Sequence, residues 1–394
     1  MRLLYVLFIL TFLSAGCKER NNVIIELLDN NNIIINDEKT EKIDPFRILA
    51  AKIASEMDDN LLISQVLISG IDGNTVIPAH ISNLLASCPA GGIMLFRYNL
   101  NTANETIRSF LSAASQLIIE GSGIPPFIAV DHEGGTVNRF MRGVAALPAA
   151  SSYWQLYQEE GWDSALAKIE EDSLAAGREI SGLGVNMNFA PVAEYLIEEN
   201  KTFLESRSYG HDPFFTSHAA AAFVRGMEQS GIICVIKHFP ASAGADPHYF
   251  ASVLNMNKTD LDILVSPFAF LINNGVRAVM AAHTYVPQID SVIASLSPVV
   301  MKNWLREELG FDGIIICDDF VMAAAGNQSP EKAAVSSIIA GADMVLVWPS
   351  ELIKTHNALT AALEEGSLSR NRLLDAAGRI IYEKLRMGLF SDAP

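Results

Sequence analysis

From Pro45 onward, runs of aliphatic residues alternate with longer stretches in which apolar positions recur every three to four residues. The apolar runs are Gln65–Ser69, Gly92–Phe96, Pro126–Asp131, Val185–Ala190, Ile232–His238, Ala278–His283, Gly313–Asp318 and Asp343–Val347. Each is short for a globular helix and most are rich in Ile, Val, Leu or Met. Their near-continuous hydrophobicity predicts parallel strands covered on both faces. The amphipathic stretches Ser164–Ile180, Phe214–Gln229, Lys302–Leu309 and Glu331–Ala340 predict helices between them. Eight such strand–helix units over roughly 340 residues predict a single (β/α)8 barrel of TIM type within the α/β class. A doubly wound sheet would need a glycine-rich phosphate turn after its first strand, and the sequence has none there.

The pattern before Pro45 is different. Arg2 precedes an apolar run, Leu3–Phe12, that is too short to span a bilayer. It ends in Leu13-Ser14-Ala15-Gly16-Cys17, small residues before a cysteine, with Leu13 one place further out than usual. The expectation is a lipoprotein signal peptide over residues 1–16, with Cys17 as the lipidated residue after cleavage. Residues 17–44 are rich in Asn and charge, including Asp29-Asn30-Asn31-Asn32, and predict a flexible tether. Residues 45–394 would then be a barrel domain held at a bacterial cell-envelope membrane, expected to be a monomer.

Among all 394 residues, half are hydrophobic and 19% charged, which permits a large core and excludes global disorder. The net charge of −17 argues against a nucleic-acid partner, which would require a basic face. Cys88, Cys234 and Cys317 show no paired spacing, and two of them sit in strand-like runs, which predicts buried free thiols. No metal site or other cofactor is expected: neither an HExxH helix nor a Cys/His cluster is present in the sequence.

Four predicted strands end in polar residues: Asp131, Lys237-His238, His283 and Asp318. In parallel barrels the C-terminal strand ends surround the active site, so these side chains should meet on one rim. The segment Ile314-Ile315-Ile316-Cys317-Asp318-Asp319-Phe320 delivers two adjacent acids to such an end. Successive strand residues point to opposite sides, so one acid should face the barrel axis and the other cap the next turn of the chain. Asp318 is assigned the chemistry and Asp319 the cap. An ionised carboxylate in that place can attack an anomeric carbon or stabilise an oxocarbenium-like transition state. After Lys237-His238 comes Phe239-Pro240-Ala241-Ser242-Ala243-Gly244, then Asp246 and His248 one residue apart. A carboxylate beside an imidazole fixes its tautomer and raises its basicity, although an Asp-x-His on a loop is more often surface polarity. Asp131-His132-Glu133-Gly134-Gly135-Thr136-Val137-Asn138-Arg139 joins a strand-ending carboxylate, able to accept from two hydroxyls, to a close backbone turn.

Together these segments resemble glycoside hydrolase family 3, in particular its single-domain β-N-acetylglucosaminidases. The likeness runs from about Pro45 to the C-terminus and extends to Gly91-Gly92-Ile93-Met94-Leu95-Phe96, Asn188-Phe189-Ala190-Pro191-Val192, Glu205-Ser206-Arg207-Ser208-Tyr209-Gly210 and Ala294-Ser295-Leu296-Ser297-Pro298. The resemblance implies exo-acting, retaining removal of β-linked N-acetylglucosamine (GlcNAc) from peptidoglycan fragments or related glycosides. By position, Asp318 matches the nucleophile, His248 the acid/base and Asp246 the acid that orients it. Asp131, Arg139, Arg207, Lys237 and His238 match the sugar-binding positions of the −1 site, which holds the sugar that is cleaved off.

The sequence also departs from the family pattern. Ala241-Ser242-Ala243 stands where Gly-His-Gly is usual, the dyad loop is about two residues shorter, and Pro247 replaces Ser. His132 replaces Gln, Thr136 replaces Arg and Cys317 replaces Thr or Ser. Two alternatives stay open at this point: a phosphorylase of the same family, which a histidine acid/base permits, and a degenerate barrel kept as a sugar-binding lipoprotein.

Overall fold

A computed structural model describes residues 44–140, 143–244, 252–321 and 328–392. Cys17, the expected signal peptide and almost all of the tether lie outside these residues, as do Asp246 and His248.

The expected barrel is present. Eight strands, β1 (Leu67–Gly70), β2 (Gly92–Leu95), β3 (Phe127–Val130), β4 (Met187–Asn188), β5 (Ile233–Phe239), β6 (Ala278–Ala281), β7 (Ile314–Cys317) and β8 (Met344–Val347), close in sequence order, with β1 paired to β8. All neighbours are parallel; Leu67 pairs with Val345 across the closure and Cys317 with Ala281 between β7 and β6. The strands are buried along almost their whole length, as their unbroken apolar runs require.

Two elements differ from expectation. The strand expected over Val185–Ala190 shortens to Met187–Asn188. Here side-chain amides add to the backbone bonds that Asn186 and Phe189 still make to β3: Asn186 Oδ1 accepts from Ile128 N (2.7 Å). Asn188 closes a pair with the His132 backbone, accepting from its N at 2.9 Å and donating to its O at 3.0 Å. The helix expected over Lys302–Leu309 spans Val299–Glu308 and is wound wider than an α-helix, ending in an i→i+5 bond from Leu309 N to Trp304 O.

The N-terminal end of the barrel is sealed by the C-terminal helix Arg370–Arg386. Its Lys384 is fully buried, donates to Gln65 Oε1 and Gly91 O (both 2.9 Å), and lies over the Phe127 ring. Burial holds this amine well below the usual lysine range. Beside it, Asp343 at the start of β8 is fully buried and ion-paired with Arg306, Arg372 and Arg379. The helix also packs on Pro45–Glu56, where Tyr382 donates to the N-cap carboxylate of Asp44 (2.7 Å). With that end closed, the opposite rim carries the open site.

Candidate active site

The C-terminal strand ends enclose a cavity of about 570 Å³. Asp131, Arg139, Arg207, Lys237, His238, His283 and Asp318 all line it, so the structure brings together every described residue that the sequence assigned to the site.

One wall is an ionic cluster. Lys237 Nζ lies 2.7 Å from Asp131 Oδ1 and 2.6 Å from Glu133 Oε1. Arg207 grips Glu133 with two bonds, Nε to Oε2 at 2.8 Å and Nη2 to Oε1 at 2.9 Å. Arg139 Nη2 reaches Asp131 Oδ2 at 3.1 Å. Glu133 keeps 5% of its side-chain surface, against 17% for Asp131 and 28% for Arg139. The carboxylate behind is therefore Glu133, and the one presented to a ligand is Asp131. Burial alone would push both carboxyls up; Lys237 acts against it in each, with Arg139 for Asp131 and Arg207 for Glu133, and holds both below the usual carboxylate range. Glu205, two residues before Arg207, adopts φ 45°, a conformation that non-glycine residues seldom adopt.

His238 is held from behind by Glu194, whose side chain is fully buried. Its Nδ1 lies 2.7 Å from Glu194 Oε1, which also accepts from Ser242 Oγ at 3.0 Å, while Oε2 accepts from Ser242 N at 2.5 Å. An ionised carboxylate only accepts, so Nδ1 carries the proton and Nε2 is left as the imidazole's other ligand-binding atom. Ser242, the residue that stands where the family pattern has His, is thus an anchor for Glu194. Adjacent Lys237 and His238 can both line the cavity because the β5–β6 register shifts between Ile236 and Phe239.

Asp318 follows the last residue of β7, and its Oδ1 accepts from Asp319 N at 2.9 Å. Asp319 Oδ1 accepts from Val321 N at 3.0 Å, closing a turn; a helix for it to cap would fall on residues outside those described. Strict alternation fails here because β7 ends at Cys317, and both acids line the cavity. His283 braces the turn from the next strand: Nε2 lies 3.2 Å from Asp319 O and Nδ1 2.7 Å from Ser295 Oγ. Burial holds its pKa below the usual value, which favours the neutral ring; a carbonyl only accepts, so Nε2–H donates to it and Nδ1 accepts from the serine. Cys317 is buried against Ser295 O and Ser337 Oγ, its thiol pushed up to about 12 by burial. Like Cys88 and Cys234 it is an unpaired, buried thiol, as expected. His132 is also buried, with its pKa lowered to about 4 and no hydrogen-bond partner for either ring nitrogen among the described residues.

The described residues on either side of the Asp246–His248 segment belong to this same wall. Ala243 N donates to Ser252 Oγ (3.1 Å), Ser252 Oγ meets Thr284 Oγ1 (3.1 Å), and Ser242, Ser252 and Thr284 line the cavity.

With this geometry in place, the match to known proteins is extensive. The model of the glycosyl hydrolase family 3 N terminal domain covers residues 60–382. The chain belongs to glycoside hydrolase family 3. One relative, the beta-hexosaminidase of Neisseria meningitidis serogroup C, is 32% identical over 265 residues, 65% of this chain and 71% of its own. The beta-hexosaminidase of Idiomarina loihiensis is 30% identical over 324 residues, 79% of this chain and 93% of its own. Among solved structures, a family 3 beta-N-acetylglucosaminidase from Paenibacillus sp. superposes with a TM-score of 0.79 at 29% identity. That superposition covers 86% of this chain and 64% of the Paenibacillus chain.

Sequence reasoning missed Glu133, Glu194 and Trp348, all at this family 3 site, and left His283 without a role. Glu133 stood in a segment already singled out, between a strand end and paired glycines. Glu194 offered a weaker signal, an acid closing an apolar run after Pro191.

Proposed function

We propose that the protein is a retaining exo-β-N-acetylglucosaminidase that hydrolyses terminal β-linked GlcNAc from peptidoglycan fragments or related glycosides. The observation that carries this reading is the placing of Asp318 in one cavity with Asp131, Lys237, Arg139, Arg207 and His238, in a family 3 barrel. Asp131 accepts from sugar hydroxyls, while the cationic cluster and His238 hold the ring. Asp318 attacks C1; the glycosidic C1–O bond breaks as His248 gives its proton to the departing oxygen, leaving a glycosyl ester on Asp318. Water then attacks C1, the ester bond breaks, and the water's proton returns to His248. Asp246 orients the His248 ring and stabilises its charged form. Support for this dyad comes from its spacing in the sequence and from the flanking residues on the cavity wall.

The test compares GlcNAc glycosides with good and poor leaving groups. His248→Ala is expected to lose on the order of 10²–10⁴-fold in kcat/KM on an alkyl β-GlcNAc and much less on an activated aryl β-GlcNAc. Equal losses would remove the acid role. Product analysis with added phosphate separates the two outcomes of the second step: GlcNAc for hydrolysis, GlcNAc 1-phosphate for phosphorolysis.

We also propose that residues 1–16 are a lipoprotein signal, that Cys17 carries the lipid, and that a monomeric barrel acts at a bacterial envelope membrane. The supporting pattern is the short apolar run ending in Ser14-Ala15-Gly16-Cys17. Metabolic labelling with a palmitate analogue should mark the wild-type protein and not Cys17→Ala; an unlabelled wild type would remove the anchor.

A further inference from the structure

Across the cavity from the ionic cluster, the rim between β8 and β2 is aromatic. Trp348, the first residue after β8, stacks on Phe96, the first after β2, with centroids 4.8 Å apart and planes 7° apart. Phe96 in turn stacks on Tyr98 at 5.9 Å and 12°. The two ring-bearing strands flank β1, which ends at Gly70. A Cβ on Gly70 would meet Phe96 Cε2 at 3.2 Å and Pro349 Cδ at 3.3 Å, so glycine leaves the room in which the pair closes over the strand end. The stack is fixed in place. Tyr98 Oη donates to Ile71 O (3.1 Å), Phe96 N to Asn99 Oδ1 (2.8 Å), and Trp348 O accepts from Glu351 N (2.9 Å) in the first turn of the next helix.

These rings are not barrel core. Trp348 keeps 36% of its surface and Tyr98 44%, and both Trp348 and Phe96 line the cavity. Phe96 covers one face of the indole, so the surface Trp348 retains lies on its other face and edge. A large, rigid aromatic left exposed beside a polar site costs solvation unless a ligand covers it, and it loses little conformational entropy when one does.

We propose that the Trp348–Phe96–Tyr98 stack is the specificity platform for the leaving-group sugar, packing the C–H face of a pyranose ring linked to the GlcNAc that is removed. This rests on the glycosidase reading above. A β-linked gluco-configured ring carries its ring hydrogens axially, and the ring oxygens polarise those C–H bonds toward the negative face of an indole. The hydroxyl-binding groups lie on the opposite wall, with Asp131 and Lys237, where the ring being cleaved off needs them. The platform therefore selects glycosides whose leaving group is itself a sugar.

The experiment compares two substrates that share the transferred GlcNAc: the β-1,4-linked GlcNAc disaccharide and GlcNAc β-fluoride, whose leaving group has no ring. For the wild-type protein, Trp348→Phe and Trp348→Ala, the quantity read is the ratio of kcat/KM for the disaccharide to that for the fluoride. The ratio is expected to fall about ten-fold in Trp348→Ala and to recover most of that loss in Trp348→Phe. An unchanged ratio, whether both rates fall together or neither does, would overturn the platform, because a ring touching only the transferred sugar or supporting the fold affects both substrates alike. Failure of the wild-type protein to turn over either substrate would instead remove the glycosidase reading, and the platform with it.

Discussion

Asp318→Ala is expected to lower kcat on an aryl β-GlcNAc substrate on the order of 10⁴-fold or more, with the fold intact. The loss should be that large because no other described carboxylate of the site is placed to take over. Asp319 Oδ1 is committed to Val321 N, Asp131 is engaged by Lys237 and Arg139, and Glu133 sits behind the cluster gripped by Arg207. Stability should change by only about 1 kcal/mol, since among the described residues the Asp318 carboxylate accepts one hydrogen bond, from Asp319 N. Steady-state kinetics together with thermal melting check both halves. Activity that survives the substitution would refute the nucleophile assignment.

Glu133→Ala should be the most damaging change to the architecture of the site. It leaves Lys237 and Arg207, both largely buried, as two like charges without the carboxylate between them. Breaking a buried pair in this way costs about 3–5 kcal/mol, and displacing the two cations proposed to position the sugar should lower kcat/KM on the order of 100-fold. Acid should act on the same cluster. The Glu133 carboxyl is held below its ordinary value near 4.5, so its stabilisation is fully present above that pH and is lost as the pH falls through and below it. Denaturant unfolding of wild type and Glu133→Gln from pH 7 down to pH 2 checks this: the wild type should begin to lose stability below about pH 4.5 and go on losing it as the pH falls, and the variant should start lower and fall less. Equal stability of wild type and Glu133→Ala at pH 7 would contradict the pairing.

Much of the barrel was legible in the sequence because strands buried on both faces need unbroken apolar runs, as in Ile314-Ile315-Ile316-Cys317. The strand around Met187 is shorter than its apolar run, and the side-chain amides of Asn186 and Asn188 hold neighbouring backbone there, a contribution that hydrophobicity does not register. Asp131, Lys237, His238 and Asp318 were legible for a related reason: each is a polar residue ending an apolar run, and a parallel barrel gathers those ends. Glu133 and Glu194 were not, since their partners are remote in sequence; Glu133 meets Arg207 across 74 positions and Glu194 meets His238 across 44. Ser242 looked like a damaged motif and is instead the donor of two bonds to Glu194. Trp348 carried no signal of its own, because the ring it stacks on comes from β2, at the other end of the chain.

The covalent ester on Asp318 is the step on which the proposed chemistry turns, and a trapping measurement reaches it most directly. Incubation with an activated 5-fluoro GlcNAc fluoride, followed by proteolysis and mass spectrometry, should add one fluorinated sugar to the peptide containing Asp318, with inactivation in step with labelling and no label in Asp318→Ala. A sugar found on another side chain, or continued turnover with no labelled peptide, as expected if the substrate's own acetamide attacked C1, would contradict it.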